Sequence, residues 1–127
     1  MRHKIIKKAP LQAALRERYA LLPYLYTLFR AANTTGAPIM RPLWYEFPEQ
    51  TPLFAEQHSY MLGPALFVAP VLEQGAASLR VAFPEGAAWY SAGDGERLAL
   101  PASGKTTLDV TADSMPRCAP RPCHKMV

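Results

Sequence analysis

The sequence predicts an α+β chain in which helical residues come first and short antiparallel strands follow. Residues 11–32 carry apolar side chains at separations of three, four or seven, which is typical of an amphipathic helix. An extended apolar segment, "APIMRPLWYEF", comes next at residues 37–47. The remaining residues form short apolar stretches divided by prolines and glycines, as short strands do. This order fits either one α+β chain or the junction between two domains.

The composition is that of one ordinary domain with a hydrophobic core. The chain has 127 residues, of which 50% are hydrophobic. Its net charge of +4 comes from basic residues at the two ends, including an N-terminal arm at residues 1–10. Because no basic face with interleaved aromatic residues follows, we expect no nucleic-acid partner. We also expect no membrane span and no secretory signal, since every apolar run is too short for either.

The first predicted element is a long, mostly buried helix, or two helices in series. Pro23 interrupts it, because proline lacks the N–H and its ring clashes with the preceding turn. Gly36 can take the left-handed conformation that ends a helix. The residues predicted to face a core are Leu11, Leu15, Leu22, Tyr26 and Phe29.

The end of this helix carries Asn33, Thr34 and Thr35, which fit the acceptor pattern for N-glycosylation. The same side chains can cap the last helical turn. We favour capping over glycosylation.

The extended segment contains two charges within an apolar run, Arg41 and Glu46. Pro42 forces Arg41 away from helical angles, and we expect Arg41 to reach a carboxylate outside this chain. A direct contact of Arg41 with a substrate is the alternative. We interpret Glu46 as a member of an ion pair at a strand end and Glu49 as a surface charge. Paired carboxylates of an enzyme are the alternative for these two acids.

The aromatic residues have two interpretations each. Trp44 and Tyr45 fit core packing, but Trp44 in particular could also stack on a sugar ring. Arg41 and Trp44 are therefore the weak candidates for substrate binding. We expect Trp89 and Tyr90 to anchor the antiparallel strands of the second half against the part of the protein that packs beside them.

The second half of the chain is predicted to contain one short helix and several strands. Residues 53–63 form the helix, closed by Gly63, and its His58 is interpreted as a packing residue rather than a catalytic base. Residues 65–71 form a buried strand and residues 77–86 an alternating one. A hairpin turns at residues 93–95, and residues 105–113 give a last strand.

The tail contains Cys118, Cys123 and His124. The two cysteines could close a small disulfide loop, and the three residues could supply part of a zinc site. Zinc normally takes four protein ligands, so we expect no metal and no other cofactor.

Two blocks of the sequence resemble glycoside hydrolase family 31. "LRERYALLPYLYTLFRAANTTGAPIMRPLWYEFP" is similar to the family's arginine-tyrosine-leucine pattern with "LPYLYTLF" and "RPL". "HSYMLGPALFVAPVLEQGAASLRVAFPEGAAWY" is similar to its following block. "RPLWYEFP" most resembles the branch of the family that trims N-glycans in the endoplasmic reticulum. The resemblance covers residues 11–116, whereas the tail at 117–127 departs from the family pattern.

The resemblance implies a retaining α-glucosidase that combines a (β/α)₈ barrel with a C-terminal β-sandwich. Residues 11–63 would be a late barrel helix, strand and short helix, with residues 39–47 near the last barrel strand. Residues 64–116 would be part of the sandwich. The chain would pack against the missing barrel segment, and the full-length protein would bind an α-glucoside or glycan in the endoplasmic reticulum.

The resemblance carries over no catalytic residue. The family's two catalytic aspartates lie in motifs resembling "W-x-D-M-N-E" and "G-D-N", and neither motif occurs in this sequence. The first aspartate is Asp94, in the predicted hairpin turn. We therefore expect a scaffold role for this chain. The alternative is a non-catalytic small protein that binds carbohydrate or a partner.

Overall fold

The computed structural model describes residues 8–101, 103–110 and 117–121, and the chain divides into two compact units. The first unit is Met1–Ile39 and the second is Met40–Val127. The expected boundary after Gly63, between a late-barrel segment and a sandwich, stays a prediction. The α+β class is confirmed, because one long helix precedes a set of antiparallel strands.

The first unit is the single helix α1, which spans Lys8–Thr35 and continues through Pro23. The hydroxyl of Thr27 donates to the carbonyl of Pro23 at 3.0 Å on the exposed side of this region. The helix ends as predicted at Gly36, whose φ of 73° lies in the left-handed region. Its N–H donates to the carbonyl of Ala32 at 2.9 Å.

Threonine hydroxyls occupy the last carbonyls of α1. Thr35 Oγ1 donates to the carbonyl of Ala31 at 2.7 Å, and Thr34 Oγ1 donates to that of Arg30 at 3.0 Å. Thr35 Oγ1 also accepts the N–H of Ala37 at 3.3 Å. The predicted capping role of this triplet is therefore present, and its two threonines provide it.

The apolar stripe of α1 is exposed, so the described residues of this chain do not bury the helix that was predicted to be mostly buried. Its side chains are 42–77% exposed. They are Leu11, Leu15, Tyr19, Leu22, Tyr26 and Phe29. Helical spacing reports that one face is apolar, but it does not report whether the chain itself supplies the covering surface.

The second unit is built on a five-stranded antiparallel sheet with the strand order β1-β2-β3-β7-β5. Its strands are β1 Met40–Pro42, β2 Tyr60–Leu62, β3 Leu66–Val68, β5 Ala88–Ser91 and β7 Arg117–Arg121. A two-stranded sheet pairs β4 Ser78–Ala82 with β6 Lys105–Asp109. Helix α2, Leu43–Glu46, follows β1, and a 3-10 helix spans Thr51–Ala55.

One row of paired residues crosses all five strands of the larger sheet. Arg41 is opposite Met61, Met61 is opposite Phe67, and Phe67 is opposite Cys118, which in turn is opposite Ser91. The three central members of the row, Met61, Phe67 and Cys118, are buried. This face of the sheet therefore forms one side of the core.

An aromatic cluster fills that core. The ring centroids of Phe67 and Phe83 lie 4.8 Å apart, and that of Trp89 lies 5.5 Å from Phe67 and 5.4 Å from Phe83. The indole N–H of Trp89 donates to the carbonyl of Pro84 at 3.0 Å, so its one polar group is satisfied despite complete burial. The predicted anchoring residue Trp89 thus lies inside the second unit.

The segment predicted to be a barrel strand has a different structure. Only Met40–Pro42 is extended, and it pairs antiparallel with β2 rather than in a parallel barrel sheet. The chain then turns into α2, which begins directly after Pro42 at the fully buried Leu43. The structure of this chain shows no barrel sheet among the described residues, and the placement of residues 39–47 near a last barrel strand stays a prediction.

The predicted helix at residues 53–63 is also wrong. The 3-10 helix ends at Ala55, and β2 occupies residues 60–62. The carboxylate of Glu56 accepts the N–H groups of His58 at 2.9 Å and Ser59 at 3.1 Å, and this local turn competes with helix continuation.

The later strands follow the sequence pattern. In β4 the alternation is correct, with Val81 buried and Arg80 exposed. The hairpin turn closes where Ser91 N–H donates to the carbonyl of Glu96 at 2.8 Å and Gly95 N–H to that of Ser91 at 2.9 Å. Residues 105–109 form the predicted last strand before the tail.

Candidate functional site

The candidate site is the corner where β1 meets α2. The Arg41 guanidinium donates a hydrogen bond to the carboxylate of Glu46, and both side chains are largely withdrawn from solvent. The same guanidinium lies over the ring of Tyr45, 5.3 Å from its centroid. We expected a carboxylate partner for Arg41 outside this chain, but the structure supplies Glu46, five residues along.

The corner is held in place by the core beneath it. Leu43 is fully buried, and Phe47 lies with its ring centroid 6.4 Å from that of Trp89. Phe47 N–H donates to the carbonyl of Leu43 at 3.0 Å and closes the turn of α2. Because α2 is fixed at both ends, the side chains on its outer surface are presented in a defined place.

The outer surface of this corner is aromatic. Trp44 is 46% and Tyr45 is 44% exposed, and Phe54 of the 3-10 helix is 53% exposed. Core packing, the interpretation that the sequence favoured for Trp44, is therefore wrong for this chain. The roles of Arg41 and Trp44 in substrate binding stay predictions.

The acids of the corner do not form a catalytic arrangement. Retaining glycosidases need two carboxyl groups about 5–5.5 Å apart, one as nucleophile and one as acid/base. Glu46 is instead joined to a guanidinium, and Glu49 is exposed in the loop after α2.

A shallow groove of about 470 Å³ lies beside the two-stranded sheet. Glu56, His58, Glu73 and Arg80 are its charged or titratable lining residues. Glu56 is committed to the turn that contains His58 and Ser59. His58 is exposed and is not supported by a further catalytic group within the described residues, so the groove shows no acid–base pair.

The structure tests only part of the prediction of a disulfide or a partial zinc site in the tail. Cys118 is a free thiol on β7, and burial raises its pKa to about 11. Cys123 and His124 lie outside the described residues. Among the residues that the structure does describe, no three histidine, cysteine, aspartate or glutamate side chains are grouped as a metal site.

Sequence reasoning missed two residues that shape this region. Tyr45 contacts the Arg41 guanidinium, and Gln50 joins the loop to Glu85 through two hydrogen bonds of 3.0 and 2.9 Å. The spacing of Arg41 and Glu46 in an apolar run could have indicated their pairing, because isolated charges are costly there. The Gln50–Glu85 link joins residues 35 apart and has no local signal.

None of the helices in the described part of the chain is long and apolar enough to cross a membrane.

Sequence comparison identifies residues 36–119 with the glycosyl hydrolase family 31 C-terminal domain. The chain is 40% identical over 110 residues to a probable glucan 1,3-alpha-glucosidase of Oryza sativa subsp. japonica, covering 87% of this chain and 12% of that protein. It is 42% identical over 108 residues to neutral alpha-glucosidase C of Mus musculus, covering 84% and 12%. The chain therefore spans about an eighth of the length of these curated relatives.

Solved structures give the same similarity. A family 31 alpha-xylosidase from a soil metagenome, complexed with xylose, matches with a TM-score of 0.82 and 35% identity, over 91% of this chain and 17% of that one. A Flavobacterium johnsoniae family 31 dextranase complexed with isomaltotriose matches with a TM-score of 0.81 and 32% identity, over 89% and 14%.

Proposed function

The chain belongs to glycosyl hydrolase family 31, and we propose that it is the C-terminal-domain portion of a longer retaining α-glucosidase, preceded by one helix of the catalytic domain. In this proposal the chain supports the catalytic domain and supplies no bond-breaking group. The observation that carries the proposal is the match of residues 36–119 to the C-terminal domain, together with the absence of both aspartate motifs from the sequence.

The reaction of the longer enzyme would use two aspartates upstream of the matched domain. One attacks the anomeric carbon, and the other protonates the leaving oxygen and then activates water, so the configuration is retained. Glu46 takes neither role, because its carboxylate is held by Arg41. The contribution of the described residues is therefore to position neighbouring structure.

We assign α1 to the barrel part of the longer enzyme as one of its outer helices. The family match to the C-terminal domain begins only at residue 36, after this helix has ended. The relative from Oryza sativa subsp. japonica aligns with 87% of the chain, so that alignment includes residues before the matched domain. The exposed apolar stripe is then the surface that packs against the missing barrel segment.

The substrate class of this proposal is an α-linked glucoside or glycan. The relatives include proteins named as α-glucosidases, and one solved family 31 structure contains isomaltotriose. Trp44 is our candidate for stacking on a sugar ring, since its indole is exposed on the fixed corner. The proposal that the longer enzyme trims N-glycans in the endoplasmic reticulum rests on the resemblance of "RPLWYEFP" alone.

The purified 127-residue chain is expected to hydrolyse 4-nitrophenyl α-D-glucoside no faster than buffer does. A chain fused to an upstream segment that carries both aspartates is expected to release nitrophenol, and replacement of either aspartate by asparagine is the matched control. Turnover by the 127-residue chain alone would overturn the scaffold role. An upstream coding region without an aspartate-bearing barrel strand would overturn the assignment to a longer glucosidase.

A further inference from the structure

Strand β7 is an interior strand of the larger sheet, and it contains a proline. It lies between β3 and β5, and Pro120 is the residue before its last one. Proline has no N–H and cannot donate a hydrogen bond to a neighbouring strand, so it is normally confined to edge strands and bulges. Because an interior strand bonds to a neighbour on each side, one of the two neighbours of β7 loses a donor.

The hydrogen bonds between β5 and β7 show which neighbour is affected. Ala92 N–H donates to the carbonyl of Arg117 at 2.8 Å, so the polar backbone groups of Arg117 point towards β5. Consecutive residues of a strand direct these groups to opposite sides, so those of Cys118 and Pro120 point towards β3. The register agrees, because the pairing of β7 with β5 includes Pro120, whereas its pairing with β3 covers Arg117 and Cys118 and stops there.

Release of β7 would leave a gap one strand wide between β3 and β5. Local opening costs least where backbone hydrogen bonding is incomplete, so the shortened pairing with β3 makes β7 the strand that is most readily released. The gap would be apolar on its core side, since Phe67 of β3 and Trp89 of β5 are both fully buried in the closed sheet. Its two sides would be unpaired strand edges, which bind an extended segment through main-chain hydrogen bonds.

We propose that this gap accepts an extended, proline-free strand of another polypeptide in place of β7. Such a strand donates an N–H towards β3 where Pro120 has none, and it carries apolar residues at the register positions opposite Phe67 and Trp89. A second copy of this chain is a poorer occupant, because its β7 contains the same proline and forms no additional bond. The partner is therefore a different sequence, and its binding goes beyond the scaffold role.

Two synthetic peptides test the proposal. The first, TVRAAVRVT, copies Arg117–Arg121 with alanine at the position of Cys118 and valine at that of Pro120, and it is extended at both ends. Its twin, TVRAAPRVT, keeps the proline. Binding of each fluorescein-labelled peptide to the full chain is measured by anisotropy, and we expect the proline-free peptide to bind at least about tenfold more tightly.

Alkylation of Cys118 reports where the peptide binds. This thiol is buried on β7, so displacement of the strand exposes it to iodoacetamide, and neither peptide contains a cysteine. We expect the proline-free peptide to accelerate the labelling of Cys118 at least about tenfold. Addition of the peptide to an outer edge of either sheet would instead leave the labelling rate unchanged.

Replacement of the proline within the chain provides the matched variants. Pro120→Val restores the donor towards β3 and is expected to weaken binding of the proline-free peptide at least about tenfold. Pro101→Val makes the same replacement at an exposed residue before β6 and is expected to leave the affinity unchanged. Circular dichroism and tryptophan fluorescence check that each variant is folded.

Any of four results would overturn the proposal. They are no binding of the proline-free peptide to the folded chain, equal affinity for the two peptides, binding without faster labelling of Cys118, and undiminished binding by a folded Pro120→Val variant. None of these measurements involves glucoside hydrolysis, so failure here is distinguishable from failure of the proposed function.

Discussion

Arg41 and Glu46 form an ion pair that joins strand β1 to helix α2. Their side chains are 12% and 20% exposed, so water screens the pair only weakly. Arg41 and Glu46 are the two charged residues of the apolar run at residues 37–47, and each stabilises the other. The run contains both charges because they pair with each other. The guanidinium of the pair also lies over the ring of Tyr45, 5.3 Å from its centroid.

Removing one member of this pair should destabilise the second unit. Glu46→Gln leaves the Arg41 guanidinium partly buried without its counter-charge, and we expect a loss of about 1–3 kcal/mol in the free energy of unfolding. Urea denaturation followed by tryptophan fluorescence measures this loss. Glu49→Gln, in the exposed loop nearby, is the matched control and should stay within about 0.5 kcal/mol of the parent.

The double replacement Arg41→Met/Glu46→Leu separates pairing from packing. Because an apolar pair of similar volume needs no desolvated charge, it should recover a large part of the stability lost in Glu46→Gln. A double variant as unstable as the single one would contradict this account.

Gly104 should not tolerate a side chain. Its φ is 66°, and an added Cβ would lie 2.5 Å from the carbonyl oxygen of Phe83. This carbon cannot move without displacing the backbone beside a core residue, so Gly104→Ala is expected to cost more than the roughly 1 kcal/mol of the left-handed conformation alone.

Gly95→Ala is the matched control for this replacement. Gly95 has a similar φ of 75°, but nothing lies within 4 Å of an added Cβ. Thermal unfolding of both variants should show the larger decrease in Tm for Gly104→Ala. Equal decreases in Tm for the two variants would show that the contact of the added Cβ with the Phe83 carbonyl oxygen does not destabilise the chain.

Cys118 should be inert to alkylation while the chain is folded. Burial raises its pKa from 9.0 to about 11, so the reactive thiolate is scarce at pH 8, and the thiol is also covered. Peptide mass spectrometry after iodoacetamide treatment should find Cys118 labelled only when urea is added. Rapid labelling of Cys118 without denaturant would refute its burial.

The same pKa shift gives a pH dependence of stability. The pKa of the folded state is the higher one, so the stabilising contribution of the neutral thiol is fully present below pH 9. It is lost as the pH rises towards about 11. Cys118→Ser or Cys118→Ala should flatten this part of the stability profile.

Local patterns allowed the prediction of several elements. The cap at Gly36 requires a left-handed residue, and the turn at Gly95 requires the same, so both are visible in the sequence. The alternation of Arg80 and Val81 specified the faces of β4. The family motifs, confirmed by the match at residues 36–119, specified the class of parent protein.

The candidate site was harder to predict because its contacts depend on which strands pair. The extended segment at residues 37–47 could have joined a parallel or an antiparallel sheet, and its sequence is compatible with both. Pairing with β2 placed it in the second unit, and the same pairing overrode the helix expected at residues 53–63. The sequence favoured core packing for Trp44, whereas its side chain is 46% exposed in this chain.

The sequence by itself determined the α+β order, the C-terminal end of the long helix at Gly36, the alternation in β4 and the membership of family 31. These features depend on backbone conformation and on patterns that repeat within a few residues along the chain. Only the tertiary structure decided the strand order β1-β2-β3-β7-β5, the pairing of Arg41 with Glu46 and the exposure of the α1 stripe. The physical reason is that strand register and burial depend on contacts between residues far apart in the chain, or on a covering surface outside it, and periodicity reports neither.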